Sequence, residues 1–532
     1  MTVATAVVGT ASRSRTVAVM RARVTAPVIG LLLLVLVWQF ASAVATGRHV
    51  IPSPESVIST LVKDHFYGPS LRTTGWEAIR GYLWGNAVAF VFAALCVLIP
   101  SVQSLLTRLA VATYCTPTIA IGPLLIVLIS ADATKVTMSA LSVFFLTLLG
   151  AVLGLSSAPQ ASLDLVHVAG GSPYFALVRV RLRAAVPAIA AALSLAAPAA
   201  LLGAMIGEYL GGDLGLGIVM VQAQQSLQVS RTWAVALLAT GVSAAVFLLT
   251  SRIARALSFE ATVTDLASVS VSMRGRRGRA LLALARGLVT VVVVLAIWWI
   301  GLRLIGLDPY VAKTPGDVWA YLTSATGAAG HRHAILSALL TTLRDGGVGY
   351  VAGTVAALVL AAVFLASPLI EGMFLPVVLA LRSVPLVAMT PLIALVFGRG
   401  LLGVSVLAGA ITLVPTLVNV VTALRGVPKP ATDLLHAYNV GTIRGLFTVR
   451  MVYALPALAA SARIAVPGAL LGAVLAELLA TGAGLGQLMT VSIINGDFGA
   501  LWSGVAVLTI VSFVVYTALS ALERATLNRL AA

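Results

Sequence analysis

Charge is scarce in this chain of 532 residues: charged side chains make up 10% of it, whereas hydrophobic residues make up 60%. A soluble domain carries about 25% charged residues, so this composition excludes a soluble globular protein. Cysteine is nearly absent. Cys96 and Cys115 both lie inside apolar runs, which argues against a disulfide framework and against a cysteine metal site. We therefore predict an all-α, polytopic membrane protein.

Lysine is rare as well, and its sequence context excludes one function. None of the four lysines follows the glycine-rich lead of a Gly-x-x-x-x-Gly-Lys-Ser/Thr phosphate loop, so we expect no ATP hydrolysis by this chain. No His/Asp/Glu cluster with metal-ligand or acid–base spacing falls inside the apolar runs, and an intramembrane enzyme is therefore poorly supported. We expect no cofactor and no metal.

Long apolar runs are what the chain has in abundance. Each is about long enough to cross the hydrocarbon core as a helix. In the first half they lie near residues 25–46, 81–100, 104–130, 136–157, 184–210 and 233–250, and in the second near 287–306, 347–367, 373–398, 401–424, 453–480 and 501–522. The sequence thus predicts about twelve transmembrane helices, six per half.

The two halves are copies of one another. Residues 164–233 return without a gap as residues 433–502, with 25 identities in 70 positions at a shift of 269. Upstream a shift of 268 superposes Thr73-Thr74 on Thr341-Thr342 and Pro123-Leu124 on Pro391-Leu392. A period this long marks duplicated domains rather than a solenoid of short repeats. An even number of spans per half makes the repeats parallel, related by an axis along the membrane normal.

The net charge of +17 is explained by the membrane topology of the chain and does not indicate a nucleic-acid partner. With the amino terminus in the cytoplasm, 22 of the 34 basic residues fall on the cytoplasmic side, 11 outside and one, Arg463, within a span. This bias follows the positive-inside rule and places both termini in the cytoplasm. The predicted organisation is a tail (1–24) lying against headgroups of the lipid bilayer, a first domain (25–255), a polar basic linker (256–283) and a second domain (284–532).

Two segments between spans, residues 164–187 and 433–456, are neither apolar enough to span nor loop-like. Asp164 and Asp433 suit the first turn of a helix, where a carboxylate opposes the positive end of the macrodipole. Six residues later stand Gly170 and Asn439, the residue types that most readily adopt the left-handed conformation ending a helix. We expect a short helix, a sharp turn, and a second helix that runs into the next span at Pro187 or Pro456.

This pattern resembles the cytoplasmic Glu-Ala-Ala loop of binding-protein-dependent ABC importer permeases, where an acidic residue is followed six positions later by Gly and then by a Leu-Pro. Here Asp replaces Glu, Leu165-Val166 and Leu434-Leu435 replace the Ala pair, and the first Pro is absent. The proline-rich third spans and the run from Glu477 to Gly486 are similar to those of the nitrate, sulfonate and taurine branch.

The resemblance implies a bacterial inner-membrane permease with two permease domains fused in one chain. It further implies two separate ATPase subunits on the cytoplasmic side and an external substrate-binding protein or lipoprotein. The residues it assigns to the ATPase-coupling loops are Asp164, His167, Gly170, Pro187, Asp433, His436, Asn439 and Pro456. For the two histidines, a solvated or helix-end residue remains the alternative to a specific contact with the ATPase. The function alternative is a secondary transporter of two parallel repeats, which needs no motor.

Candidates for the substrate path come from the apolar runs. Pro117, Pro123, Pro385 and Pro391 are either packing kinks or, as we favour, pore-lining residues, since unpaired carbonyls are tolerated only against protein or a water-lined cavity. Glu208 and Glu477 are gate or pore-mouth candidates, unless their side chains extend to the interface by snorkelling. Arg463 is expected to form a salt bridge between helices. No residue selects the substrate, and we expect only a weak site for it.

Overall fold

The computed structural model describes residues 28–44, 51–64, 67–99, 109, 118–257, 280–381, 386–479 and 482–531, and all regular structure in them is helical. The first half comprises α1 (Val28–Val44), α2 (Pro54–Lys63), α3 (Tyr67–Leu98), α4 (Thr118–Leu128), α5 (Ala131–Ser156), α6 (Gln160–Val168), α7 (Pro173–Gly211), α8 (Leu216–Gln225) and α9 (Val229–Leu257). The second comprises α10 (Ala280–Ile305), α11 (Pro315–Thr323), α12 (Ala328–Ala366), α13 (Pro368–Leu381), α14 (Leu386–Phe397), α15 (Leu401–Arg425), α16 (Lys429–Ala437), α17 (residues 442–479), α18 (Gly484–Ile494) and α19 (Phe498–Ala531).

Hydropathy explains which helices cross the membrane. Among the described residues, eight helices are long and apolar enough to do so: α3, α5, α7, α9, α12, α15, α17 and α19. Shorter apolar helices occur at α1, in residues 291–304 of α10 and at α18. This arrangement confirms the predicted polytopic all-α fold. The predicted third span of the second half, residues 373–398, overlaps α13 and α14. Residues 382–385 between them, the predicted tail and most of the predicted linker lie outside the described residues.

Glycine permits close helix packing inside each half. A Cβ on Gly85 of α3 would lie 2.6 Å from the Ala140 carbonyl oxygen of α5, and one on Gly349 of α12 would lie 2.7 Å from the Ser405 carbonyl oxygen of α15. Small residues of this kind let membrane helices approach one another at the backbone. The pairs α3–α5 and α12–α15, together with α7 and α17, therefore form the centre of each half.

The halves interlock through their short third helices. Leu124 of α4 is buried in a cluster formed mainly by second-half residues such as Leu485 and Leu501. Leu392 of α14, its counterpart in the repeat, is buried among first-half residues such as Met205. Helix α4 contacts α17, α18 and α19, and α14 contacts α7, α8 and α9. This reciprocity fits parallel repeats around one axis.

Short helices α2 and α11 follow the first helix of each half and begin as the sequence predicts, with a proline at the first turn and a capping side chain. Thr314 and Asp317 form a reciprocal capping box at α11. At α2 the cap is Ser53, which accepts from the Ser56 N–H at 3.2 Å. The Ser56 hydroxyl in turn donates to the Ser53 carbonyl at 2.8 Å.

Stacked tryptophans attach the first helix of each half to the last. Trp38 stacks on Trp233 with ring centroids 5.5 Å apart, and Trp298 stacks on Trp502 at 5.3 Å. Trp233 and Trp502 are equivalent positions of the repeat. The duplication therefore extends to aromatic packing that joins distant parts of the chain.

Candidate functional site: two elbows and two buried carboxylate clamps

The predicted helix–turn–helix occurs in both halves. We call residues 160–181 the first elbow and residues 429–450 the second elbow. Helix α6 ends in a turn where Gly170 has φ +73°, and α16 ends where Asn439 has φ +49°. The Gly171 N–H donates to the Val166 carbonyl at 2.8 Å, and the Val440 N–H to the Leu435 carbonyl at 2.9 Å. These six-residue loops are typical of a helix end with a left-handed residue, so the predicted left-handed turn is confirmed.

The expected place of the two aspartates was wrong. Helix α6 begins at Gln160 and α16 at Lys429, so Asp164 and Asp433 stand one turn later than the first turn. The exposed Asp164 carboxylate accepts from the Gln160 amide at 3.1 Å. Asp164 therefore pairs with another side chain along the surface of α6, rather than with the free N–H groups of its first turn. Sequence reasoning overlooked Pro159 and Pro428, which stand directly before α6 and α16 and mark where these helices begin.

His167 is exposed on α6, and the side chain of His436 lies outside the described residues. Leu165 and Val168 on α6 are 71% and 86% exposed, and Leu434 and Tyr438 of the second elbow are 57% and 76% exposed. None of the residues of α6 is buried. Apolar side chains that contact so little of their own chain, on a short polar-flanked helix, are typical of a surface that meets another protein.

Each elbow is attached to the preceding span by an arginine. The first turns of α7 and α17 contain five residues of π-helix, Leu177–Arg181 and Leu446–Arg450. Arg181 Nη1 donates to the Leu155 carbonyl at 3.0 Å, and Arg450 Nη1 to the Leu424 carbonyl at 3.3 Å. Those carbonyls end α5 and α15, where a cation is favoured. Sequence reasoning missed this contact, although Arg181 and Arg450 are identical positions of the repeat.

The second helix of each elbow runs without a break into the next span. Pro187 lies inside α7 and Pro456 inside α17, each about two turns beyond the π-helical turn. At the other end of these spans stand Glu208 and Glu477. One continuous helix thus connects each elbow to a buried carboxylate at the opposite end of the bundle.

Glu208 is completely buried. Its Oε1 accepts from the Thr74 hydroxyl at 2.6 Å, and its Oε2 accepts from the Gly217 N–H at 2.6 Å. The Thr74 oxygen in turn accepts from the Leu216 N–H at 2.9 Å. We call Thr74, Glu208 and Gly217 the first clamp. The first N–H groups of a helix have no partner within it, and this clamp supplies partners for α8 from two other helices.

The second clamp, Thr342, Glu477 and Gly486, repeats this arrangement at α18. Glu477 is 1% exposed and accepts from the Thr342 hydroxyl at 2.9 Å and from the Gly486 N–H at 3.0 Å. Thr342 also accepts from the Leu485 N–H at 2.9 Å. Both carboxylates are thus held inside the protein by the positive end of a helix. The snorkelling interpretation of the two glutamates does not fit their burial.

Glycine is required beside each carboxylate. Gly215 has φ +145° and Gly484 has φ +91°, and a Cβ at either position would collide with the carboxyl group of Glu208 or Glu477. Neither α8 nor α18 has a capping side chain of its own. A distant glutamate can approach these two helix ends only because Gly215 and Gly484 have no side chain.

Comparison with known proteins decides the family. The family described as the binding-protein-dependent transport system inner membrane component matches residues 85–261 and, a second time, residues 349–531. The two matches together cover well over half of the chain. The chain belongs to this family. Both matched stretches contain an elbow and its clamp glutamate, so the duplicated unit is the family's permease domain.

Relatives include a probable ABC transporter permease protein of Haemophilus influenzae, 31% identical over 227 residues, which are 93% of that protein and 42% of this chain. The riboflavin transport system permease protein RibX of Chloroflexus aurantiacus is 32% identical over 155 residues, 58% of its length and 29% of this chain. The taurine transport system permease protein TauC of Escherichia coli is 25% identical over 242 residues, 86% of its length and 44% of this chain. Each relative aligns with less than half of the chain, and the family matches the chain twice. This protein is therefore a permease component of an ABC importer with two permease domains in tandem.

The remaining predicted site residues of this permease fall in different places. Pro123 lies in α4 and Pro391 in α14, the helices through which the halves interlock, whereas Pro117 and Pro385 lie outside the described residues. Arg463 of α17 forms an ion pair with Glu523 of α19 at 3.4 Å, which confirms the predicted salt bridge between helices. Within the described residues, no group of histidine, cysteine and acidic side chains could hold a metal ion.

Charged residues near the clamps were missed by sequence reasoning. In the first half Lys135 of α5 forms ion pairs with Glu77 of α3 at 3.3 Å and with Asp132 at 3.1 Å, and the Lys135 and Glu77 side chains are less than 10% exposed. In the second half Asp345 stands at the position of Glu77 and is buried as well. Glu77 lies before the predicted span 81–100, and the available signal was its match to Asp345 in the repeat.

Proposed function

We propose that one copy of this permease forms the complete transmembrane path of an importer and is driven by two ATPase subunits, one at each elbow. The observation that carries the proposal is the pair of elbows, which repeat in φ, hydrogen bonding and arginine contact at a shift of 269. A permease with one domain must pair with a second chain to present two such elbows. This chain presents both.

The elbows have the properties of a docking surface. Helix α6 exposes Leu165 and Val168, and the second elbow exposes Leu434 and Tyr438. These side chains stand outside the long apolar helices, where lipid would not cover them. A cleft of an ATPase would remove them from water, with a gain of about 25 cal/mol for each Å² of apolar surface buried. Asp164, Asp433 and His167 then contact the rim of that cleft.

Movement at an elbow has a route into the spans. Leu177 and Leu446 are buried in clusters that also contain residues of α3, α5, α12 and α15. Arg181 and Arg450 attach the same turns to the ends of α5 and α15. Since the elbows continue into α7 and α17, a rigid shift of the ATPase tilts these helices and carries the clamps at their far ends with them.

The substrate path runs along the boundary of the halves, at α4 and α14. These helices contact both halves, and each contains a proline that leaves a backbone carbonyl without its helical donor. The exposed arginines of the elbows, Arg179 and Arg444, favour a cytoplasmic position for that end of the bundle. Both chain termini then lie in the cytoplasm of a bacterium, and the clamps face the outside.

Substrate selection belongs to an external binding protein or lipoprotein. Helices α4 and α14, which we place along the path, contain no charged residue and therefore offer little to hold an ion. The names of the relatives include transport systems for riboflavin and taurine, which suggests a small polar solute of this kind. Calorimetry on the purified chain tests the weak site, and a Kd below about 1 µM would contradict it.

Stoichiometry and energy source test the proposal. The chain is expressed with its ATPase, and the mass of the crosslinked complex is measured. The expected stoichiometry is one permease chain to two ATPase subunits. Two copies of this chain per complex would contradict the single-copy path. Reconstituted in liposomes without the ATPase, the chain should show no ion-driven uptake, whereas uptake without ATP would favour a secondary transporter.

A further inference from the structure

The two clamps have different charge surroundings, and helix packing fixes which residues correspond. A Cβ on Gly81 would lie 2.9 Å from the Val136 carbonyl oxygen, and one on Gly349 would lie 2.7 Å from the Ser405 carbonyl oxygen. Gly81 and Gly349 are matched positions of the repeat. Val136 and Ser405 are therefore equivalent, and the shift between α5 and α15 is 269 residues.

At this shift the lysine of the first half has no counterpart in the second. Val404 stands at the position of Lys135, and Leu401 at the position of Asp132. Val404 is 1% exposed and lines a small apolar void together with Ala476 and Thr390. The second half thus retains two buried acids, Asp345 and Glu477, and has replaced the buried cation by a valine.

Hydrogen bonding to the two glutamates differs accordingly. In the first clamp each carboxylate oxygen of Glu208 accepts one bond, and both are 2.6 Å long. In the second clamp both donors bind Oε2 of Glu477, at 2.9 and 3.0 Å, and its Oε1 is buried with no hydrogen-bond partner among the residues that the structure describes. Bonds to an ionised carboxylate are short, and an ionised oxygen that lacks any partner in the interior is costly. The pattern at Glu477 is that of a carbonyl oxygen and a hydroxyl.

Among the described residues, no cation is paired with Glu477. Asp345 of α12 lies within electrostatic range of it, and the neighbouring Arg344 is exposed. Arg463 stands 14 residues earlier on α17, about 21 Å away along the helix, and is paired with Glu523. The described side chains of α14 and α18 include no charged group, and Arg425 of α15 is paired with Glu371 at the far end of that helix.

We propose that the second clamp is a proton-binding site, in which one proton held on Oε1 of Glu477 takes the place that the Lys135 ammonium fills in the first half. A proton needs no space beyond the carboxyl group. A monovalent metal cation needs several oxygen ligands, and here the Thr342 oxygen is already engaged with the Leu485 N–H. In the first half Glu77 also has one oxygen without a hydrogen-bond partner, but its other oxygen contacts Lys135. Glu77 in turn lies close to Glu208, so the first half places one buried cation beside two buried acids, whereas the second half has two buried acids and no buried cation at this position.

Infrared spectroscopy tests this directly, because a protonated carboxylic acid has a carbonyl stretch that a carboxylate lacks. The full-length chain in lipid nanodiscs at neutral pH should show such a band, and Glu477→Gln should remove it. The matched variant Glu208→Gln should still show the band, because Glu477 is intact in it. Asp345→Asn should leave a band as well, since the proton resides on Glu477. A wild-type spectrum without the band, or its loss in Glu208→Gln alone, would overturn the proposal.

A second variant keeps the test independent of how well the glutamine variants fold. Val404→Lys restores the cation of the first half and should convert the acid to a carboxylate, so that the band disappears while the carboxylate absorption rises by one group. Titration with sodium or potassium chloride tests the remaining alternative, a metal cation bound at the second clamp. A carboxylate band that shifts on addition of either cation, with no acid band before it, would assign the site to a metal cation and refute the proton.

Discussion

The two halves of the permease share their backbone contacts but differ in buried charge. Both cap a short helix with a remote threonine and glutamate, and both attach the elbow to the preceding span with an arginine. Only the first half has the buried Lys135, whereas the second has Val404. Contacts that fix helix ends have thus been kept after duplication, while the balance of buried charge has changed. The capping geometry, rather than the charge, is the feature the fold requires twice.

The largest difference between the halves is expected when the buried cation is removed. Lys135→Met leaves Glu77 without its ion-pair partner in the interior, and breaking a buried pair in this way costs about 3–5 kcal/mol. The matched change Val404→Met adds volume to the same place in the second half and should cost no more than about 1–3 kcal/mol. Thermal unfolding of the purified chain in one detergent compares the two. Equal losses would show that the Lys135–Glu77 pair adds nothing beyond packing.

Loss of the clamp hydroxyls should have a smaller effect, unequal between halves. Thr74→Val removes a donor to Glu208 and an acceptor of the Leu216 N–H without changing the side-chain shape. A hydrogen bond to a charged group contributes about 1.5–3 kcal/mol, and a neutral one about 0.5–1.5 kcal/mol. Thr342→Val should therefore cost less than Thr74→Val, because Glu477 is neutral in our proposal.

The neighbouring threonines provide the control for this comparison. Thr73 and Thr341 bond only to carbonyls within their own helices, so Thr73→Val and Thr341→Val should change stability by less than about 0.5 kcal/mol. The unfolding midpoint of all four variants is measured under the same conditions. If Thr342→Val is as damaging as Thr74→Val, the two glutamates carry the same charge.

The turn of the second elbow offers a test of coupling. Asn439→Gly should preserve transport, because glycine adopts φ near +49° without strain. Asn439→Val should uncouple ATP hydrolysis from uptake, since a β-branched residue is poorly accommodated there, at a cost of about 1–3 kcal/mol. The measurement is uptake per ATP hydrolysed in liposomes, with Gly170→Val as the matched first-half variant. Unchanged coupling in Asn439→Val would mean that the second elbow does not drive transport.

Sequence reasoning reached the duplication, the polytopic all-α fold and the left-handed turns, because each leaves a pattern that can be read directly in the sequence. It did not reach the clamps, although Thr74 and Thr342 were matched in the repeat. Thr74 and Glu208 are 134 residues apart, and nothing in a single sequence states which buried hydroxyl meets which carboxylate. Glu77 was missed for another reason. Hydropathy marks only the apolar part of a helix, and α3 begins at Tyr67, well before its apolar run.

The smallest expected difference concerns a turn at the clamp end. Leu227 has φ +55° and is 76% exposed, whereas its counterpart Gly496 has φ +68°. A left-handed conformation costs a residue with a side chain about 1–2 kcal/mol, and glycine loses about 0.5–1 kcal/mol through greater freedom in the unfolded chain. Leu227→Gly should therefore stabilise the first half by about 0.5–1 kcal/mol.

The reverse change belongs to the same test. Gly496→Leu introduces the left-handed strain, and its Cβ would lie 3.0 Å from the Tyr310 hydroxyl, which donates to the Gly496 carbonyl. It should cost about 1–2 kcal/mol. Unfolding midpoints of the two variants should therefore move in opposite directions. A destabilised Leu227→Gly variant would show that the Leu227 side chain contributes more to stability than its backbone strain costs.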